Sequence, residues 1–227
     1  MLQLSDGWAT TLPPERLRPL EQPALLGQLS ALAAPVSRLY APEGAPAVAF
    51  PWSSAPWVIV LRNRRDLAQR REEGWDLLLD PSLRGRLVLP SSPRVVIALM
   101  HGDPAKLRQL RRQAVAHDGR DGLNLLLSRE ADAAVLPRSW VVPALRRDPR
   151  LRAILPDAGA PLSWNLLLRT AGPHPDPPVD WLTEALEAPL LARLLAQGWV
   201  PPLSRDCLLY TSPSPRDQRG SRMPSSA

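Results

Sequence analysis

The sequence is poor in the residues on which most protein chemistry depends. It has one cysteine, one phenylalanine, two tyrosines, three histidines and a single lysine, Lys106, among 28 basic residues. Cys207 lies close to the C-terminus, so the body of the chain has no disulfide, zinc cluster or thiol nucleophile to offer. His101, His117 and His174 are far apart. None has a serine in a Gly-x-Ser-x-Gly setting, and no pair has metal-ligand spacing. They read as surface-loop histidines. The 12 glycines are spread singly, which leaves no glycine-rich loop to cradle a phosphate. No catalytic residue, metal site or cofactor is expected.

Charge excludes less than it first suggests. The formal net charge is +6, which by itself would admit a nucleic-acid or anionic-membrane partner. The arginines are scattered, however, and no basic run is interleaved with aromatics. An arginine flood with many Ala, Pro and Leu is what a GC-rich coding sequence gives, and a nucleic-acid partner is not expected. Arg62, Arg64, Arg65, Arg70 and Arg71 are offset by Asp66, Glu72 and Glu73, a pattern that predicts a solvated helix face. The stretch from Gly44 to Leu61 carries no charge and approaches the length of a membrane span. Pro46, Pro51 and Pro56 interrupt it, with Ser53 and Ser54 in the middle, so it does not read as one. No basic region followed by an apolar one marks a signal peptide after Met1.

What is abundant is proline, at 28 residues, and tryptophan, at 8. The tail from Cys207 to Ala227 is rich in Ser, Pro and Arg and has no hydrophobic period, so it is expected to be disordered. It also resembles the conceptual translation of a sequencing adapter, and the natural sequence is expected to stop near Arg205 or Asp206. The body alternates short apolar runs with helical patterns. Strands are predicted at Pro56 to Leu61, Arg86 to Pro90, Asp132 to Leu136, Leu151 to Leu155 and Trp164 to Leu168. Helices are predicted over Arg64 to Glu73, stopping at Gly74, and over Pro93 to Met100. The latter has Ser92 as its cap. Asp103-Pro104 repeats that device for a helix lined by Leu107, Leu110 and Ala114. Further helices run from Ser139 to Arg147 and from Asp180 to Gln197, kinked at Pro189. This alternation argues for an α/β fold.

Tryptophans and small polar residues gather at the predicted strand ends: Trp52-Ser53-Ser54, Ser91-Ser92-Pro93-Arg94, Pro137-Arg138-Ser139-Trp140 and Ser163-Trp164-Asn165. Ligands of open α/β sheets collect outside the carboxyl ends of strands. A helix start at Ser92 would offer backbone N–H groups there, and indole faces attract ammonium groups. Trp75, Trp181 and Trp199 read instead as packing residues; for Trp52 and Trp164 both roles stand.

Four segments carry a resemblance. GWDLLLDPSLRGRLVLPSSPRVVIALM (Gly74 to Met100) is similar to the W-x-x-L-x-x-P-x-x-x-G signature of bacterial extracellular polyamine-binding proteins, the spermidine/putrescine receptors of ABC importers. LLLSREADAAV (Leu125 to Val135) resembles a later strand of that family, and LPDAGAPLSWNLLLRTAG (Leu155 to Gly172) its P-x-x-G-x-x-x-W-x-D return crossing. Ser5-Asp6-Gly7-Trp8, followed by Leu17-Arg18-Pro19-Leu20, looks like its first-lobe site segment.

The resemblance implies a two-lobe periplasmic binding protein of type II, an α/β fold with the ligand between lobes joined by crossing strands. The first lobe would be incomplete and the chain a fragment at both ends. It further implies the remainder of lobe 1 at residues 1–52, lobe 2 at 53–162, a return crossing with a lobe 1 helix at 163–206, and a non-native tail at 207–227. Implied ligand-binding residues are Asp6, Trp8, Trp52, Ser53, Ser92, Arg94, Trp164 and Asn165. The implied function is non-enzymatic: capture of a polyamine or similar small polar solute in the periplasm and delivery to an inner-membrane permease. A ligand-sensing module on the same fold, without transport, is the alternative. Family members hold ammonium groups with carboxylates. Here Ser92 and Val95 stand where acids are common, Asn165 where Asp is usual and Pro137 where an aromatic is usual. A less cationic or anionic ligand therefore stays open at Arg94 and Arg138, as does a purely structural Arg94.

Overall fold

The computed structural model describes residues 1–118, 121–172 and 179–204. His174 and the tail from Cys207 onward lie outside the described residues. In chain order the elements are β1 (Leu2–Ser5), α1 (Asp6–Ala9), α2 (Pro23–Leu26), α3 (Ala34–Ser37), β2 (Ala49–Arg62), α4 (Arg65–Ala68) and β3 (Leu87–Leu89). There follow α5 (Pro93–Leu99), α6 (Pro104–Gln113), β4 (Ala114–His117), α7 (Gly122–Leu127), β5 (Ala133–Pro137) and α8 (Arg138–Arg147). β6 (Leu151–Ile154), β7 (Leu162–Leu168), α9 (Val179–Ala185) and α10 (Leu190–Ala196) complete the list.

The chain divides into two compact units. Unit one holds Met1–Ser53, the described part of Trp164–Ala196, and residues 200–204; unit two holds Ser54–Ser163 and Gln197–Trp199. β2 passes from one unit to the other between Ser53 and Ser54.

Unit two is a sheet with both faces covered. β2 pairs antiparallel with β5 and with β6, while β3 lies parallel to β5 and to β4. Alternation along the strands sorts their side chains into two cores. Trp57, Ile59 and Leu61 of β2 join Leu87 and Leu89 of β3 and Ala133 and Val135 of β5 on one face, under Leu99 and Leu110 of α5 and α6. Val58 and Val60, Val88, and Ala134 and Leu136 take the other face, under Leu126 and Val141 of α7 and α8. A strand buried on both sides needs an unbroken apolar run, and Trp57 to Leu61 supplies it. α7 approaches this second face closely: a Cβ at Gly122 would sit 2.9 Å from Leu136 Cδ2, so a larger residue at its start would have to displace the Leu136 side chain.

Unit one is built on three neighbouring strands in the order β1–β7–β2. β1 runs antiparallel to β7, with Ser5 opposite Asn165, and Arg169 N donates to Val48 O at 3.2 Å. Phe50, Leu20, Leu25, Leu182, Leu186 and Leu203 form its core, with Trp52 packed against them.

Several expectations need correction. The charged run after β2 is not one helix. α4 lasts one turn, and 3-10 turns then run from Arg71 to Leu79 through Gly74, whose φ of 61° breaks any regular helix. Arg62 is not on a solvated helix face: it ends β2 and is 5% exposed. The uncharged stretch is largely β2, and both Pro51 and Pro56 fall before the ladder with β5 begins at Trp57. Their missing N–H groups therefore cost that ladder nothing. Ala114 leaves the α6 face to open strand β4, which carries His117. The C-terminal helix is two helices, broken between Ala185 and Leu190 rather than kinked. Trp181 is 49% exposed and is not a core residue, whereas Trp75 is buried and donates to Gly159 O at 3.0 Å.

Candidate functional site

Six of the eight sequence-indicated residues (Asp6, Trp8, Trp52, Ser53, Trp164 and Asn165) belong to unit one; Ser92 and Arg94 belong to unit two. Within unit one, β7 brings two of its members onto the others. Trp164 N donates to Asp6 Oδ1 at 3.3 Å, and Asn165 Nδ2 donates to Ser53 Oγ at 3.1 Å. Asp6 is there because β1 ends opposite Asn165, so the first turn of α1 emerges beside the return strand.

A residue that the sequence reading missed completes this cluster. Tyr40 donates its hydroxyl to Asp6 Oδ2 at 3.4 Å. It follows α3 through two consecutive left-handed residues, Leu39 (φ 51°) and Tyr40 itself (φ 64°). Such a backbone is costly for non-glycine residues and persists only where the surroundings over-determine it. No local sequence pattern signals it, because its partner lies 34 positions away.

The electrostatics of Asp6 set it apart. Burial raises the pKa of its carboxyl above the usual aspartate value; the Trp164 and Gly7 N–H groups and the Tyr40 hydroxyl oppose that rise without cancelling it. Among the described residues no lysine, arginine or histidine forms an ion pair with it. A half-buried carboxylate held by neutral donors is short of positive charge.

The tryptophans divide by exposure. Trp8, two residues from Asp6, is 66% exposed, whereas Trp164 is buried at 5% and Trp52 packs against the unit-one core. Trp8 therefore has the largest indole surface open to a ligand. Ser53 is fully buried, and its hydroxyl is occupied by Asn165, so these two residues brace the strands beneath the carboxylate.

In unit two, Ser92 sits at the N-cap of α5 with extended backbone, but its side chain makes no cap hydrogen bond. The expected capping is therefore absent, in contrast to Asp103, which accepts from Ala105 N and Lys106 N at 2.7 and 3.2 Å. Arg94 is exposed on the first turn of α5. A feature not foreseen lies at the carboxyl end of β5. Trp57 is the cross-strand partner of Pro137, and Ser139 opens α8 two residues later. Trp57 Nε1 and Ser139 Oγ are both buried without a hydrogen-bond partner. Buried polar groups are nearly always satisfied, so each of these two groups, taken by itself, is exceptional. Among the described residues, no three His, Cys, Asp or Glu side chains are grouped to hold a metal ion.

No protein-family model matches the chain. No curated protein sequence matches it either. Solved structures do. The spermidine/putrescine ABC transporter substrate-binding protein PotD from Streptococcus pneumoniae aligns with a TM-score of 0.64 at 14% identity, over 90% of this chain and 70% of its own. An ABC transporter protein from Clostridium perfringens gives 0.62 at 16% identity, over 95% and 74%. Iron-bound HitA from Pseudomonas aeruginosa gives 0.59 at 13% identity, over 84% and 64%. The chain has the α/β fold of these proteins, the type II periplasmic-binding fold.

Proposed function

We propose that this chain is the solute-binding component of an ABC importer and that it takes a cationic, polyamine-class solute on the Asp6 carboxylate. It works in the periplasm and hands the solute to an inner-membrane permease, with no bond made or broken. One observation carries the substrate class: Asp6 is partly desolvated, has no ion-pair partner among the described residues, and stands two residues from the exposed Trp8 indole. A bound ammonium group would supply the missing charge, and a charge-assisted hydrogen bond is worth more than a neutral one. The indole face would add about 0.5–2 kcal/mol. Ser53 and Asn165 serve as braces in this reading, and Trp52 and Trp164 as the apolar floor of the site. The fold shared with substrate-binding proteins supports the receptor role.

Calorimetric titration of spermidine and putrescine into the full chain, with the iron–citrate complex and a neutral sugar as comparison solutes, tests the reading. Saturable polyamine binding that is lost in Asp6→Asn is the expected result. Binding only of another solute class overturns the substrate assignment.

A further inference from the structure

The end of β2 and the start of β6 place a second chemistry in unit two, unrelated to Asp6. β2 and β6 pair as Leu61 with Arg152 and Arg62 with Leu151, and Asn63 N donates to Arg150 O at 3.0 Å. This register draws two arginine-rich stretches together around a cavity of about 150 Å3, lined by Asn63, Arg64, Arg65, Pro149, Arg150 and Arg152. The lining includes four guanidinium groups and no carboxylate.

Acids at the rim answer only part of that charge. Arg64 is paired with Asp66 at 2.7 Å and lies 3.9 Å from Asp132, which is itself held by Arg86 at 2.8 Å. Arg150 is paired with Asp148 at 2.7 Å. Among the described residues, Arg65 and Arg152 find no side-chain hydrogen bond or ion-pair partner. Beside them Arg62 is buried, and its Nε has no partner. Five guanidinium groups thus converge where Asp66 and Asp148 are committed and Asp132 is shared with a sixth.

Like charges crowded at one surface repel, and a concave, partly desolvated setting strengthens that repulsion. Arg111 and Arg112 at the end of α6, by contrast, are exposed on a helix surface. Arginine's planar fork matches tetrahedral oxyanions in a bidentate manner, and a polar lining of this kind excludes an apolar occupant. We infer that this cavity is an anion site for a phosphate group, approached by Arg65 and Arg152 and walled by Arg64 and Arg150. The phosphate could be free or the headgroup of an anionic lipid; the chemistry recognised is the same.

The test uses the full chain in low-salt buffer. Inorganic phosphate is titrated calorimetrically, with sulfate as competitor and chloride at matched ionic strength as the screening control. Vesicles of phosphatidylcholine with and without phosphatidic acid form the second arm. The variant R65Q/R152Q removes the two unpaired arginines, and R111Q/R112Q removes the same charge from α6. Saturable phosphate binding that weakens roughly tenfold or more in R65Q/R152Q, and is retained in R111Q/R112Q, supports the site with free phosphate as its ligand. Vesicle binding with the same variant dependence, and no binding of free phosphate, assigns the headgroup. Absence of saturable binding in both arms, or equal weakening by the two variants, overturns the proposal. Spermidine titration of R65Q/R152Q keeps this outcome separate from the Asp6 reading, since that variant leaves unit one unchanged.

Discussion

The backbone N–H of Trp164 donates to Asp6 Oδ1 at 3.3 Å, joining residues 158 positions apart. The contact fixes a carboxylate at the first turn of a helix to the backbone of a strand that enters the same unit much later in the chain. Asp6 therefore keeps its position only while β1 and β7 hold their register, in which Ser5 faces Asn165. A short terminal strand of four residues would be marginal by itself; its long-range partner makes the site a property of the fold and not of the Ser-Asp-Gly-Trp motif.

The first prediction concerns stability. Burial raises the Asp6 pKa, so the folded state prefers the protonated acid. Its favourable contribution is fully present below the unfolded aspartate pKa and is lost as pH rises through the raised folded value. Asp6→Asn keeps an acceptor for Trp164 N and removes the titration. Thermal melts of the two proteins should diverge with rising pH, the variant being at least as stable as the wild type at pH 7. A variant clearly less stable than wild type at neutral pH would mean that the ionised carboxylate has a cationic partner.

The second concerns binding. Spermidine amines stay protonated below pH 8, as lysine does, so acidification acts on the protein's carboxylate. Affinity should fall as pH drops through the raised Asp6 pKa, beginning at a higher pH than an ordinary aspartate would impose. In Asp6→Asn affinity should be about ten- to a hundredfold weaker at pH 7, from the loss of a charge-assisted bond, and flat with pH. Trp8 should report occupancy by a fluorescence change that Trp8→Leu abolishes. Unchanged affinity across the acid range would remove Asp6 from the site.

Periodicity and capping chemistry made much of unit two readable in advance. Trp57 to Leu61, Leu87 to Leu89 and Ala133 to Leu136 are apolar on both faces, which only a covered sheet can satisfy, and Asp103-Pro104 caps α6 as expected. Ser92-Pro93 looks the same in sequence but leaves its hydroxyl unengaged with the helix, since a serine side chain can rotate away where the backbone N–H groups find water. β4 was hidden because Ala114 continues the helical period of α6. Arg62 was misread because a charged residue closing a buried strand cannot be told from one opening a helix. At the site, Asp6 and Trp8 were legible as a motif. Tyr40 was not, because its place depends on left-handed backbone at Leu39 and Tyr40 and on a contact remote in sequence.

A third prediction tests the turn that leads into β3. Asp80 accepts from Ser82 N at 2.9 Å, capping the turn Pro81–Leu83, and its other oxygen pairs with Arg70. The bonds from Ser82, together with Arg70, hold its carboxyl down to about 2. Stability from this group is present above the unfolded aspartate pKa and disappears as pH falls toward that depressed value. Asp80→Ala should destabilise unit two by about 1–2 kcal/mol at pH 7, the usual cost of a lost cap, read from urea midpoints. The difference from wild type should vanish in strong acid.

The last prediction separates positioning from contact at the candidate site. The Tyr40 hydroxyl lowers the Asp6 pKa against the larger effect of burial. Tyr40→Phe removes that donor while keeping the ring and the demand for left-handed backbone, so the fold should hold and thermal stability at low pH should match wild type. The carboxyl should then titrate higher. Spermidine affinity should be lost at a higher pH than in wild type, while on the alkaline plateau, above the carboxyl titration of both proteins, affinity should differ much less. A uniform loss at every pH would mean that Tyr40 contacts the solute itself, and no shift at all would show that its hydroxyl does not reach Asp6 in solution. The pH profile, unlike a single affinity, distinguishes these outcomes because only a donor to the carboxylate moves the midpoint without changing the plateau.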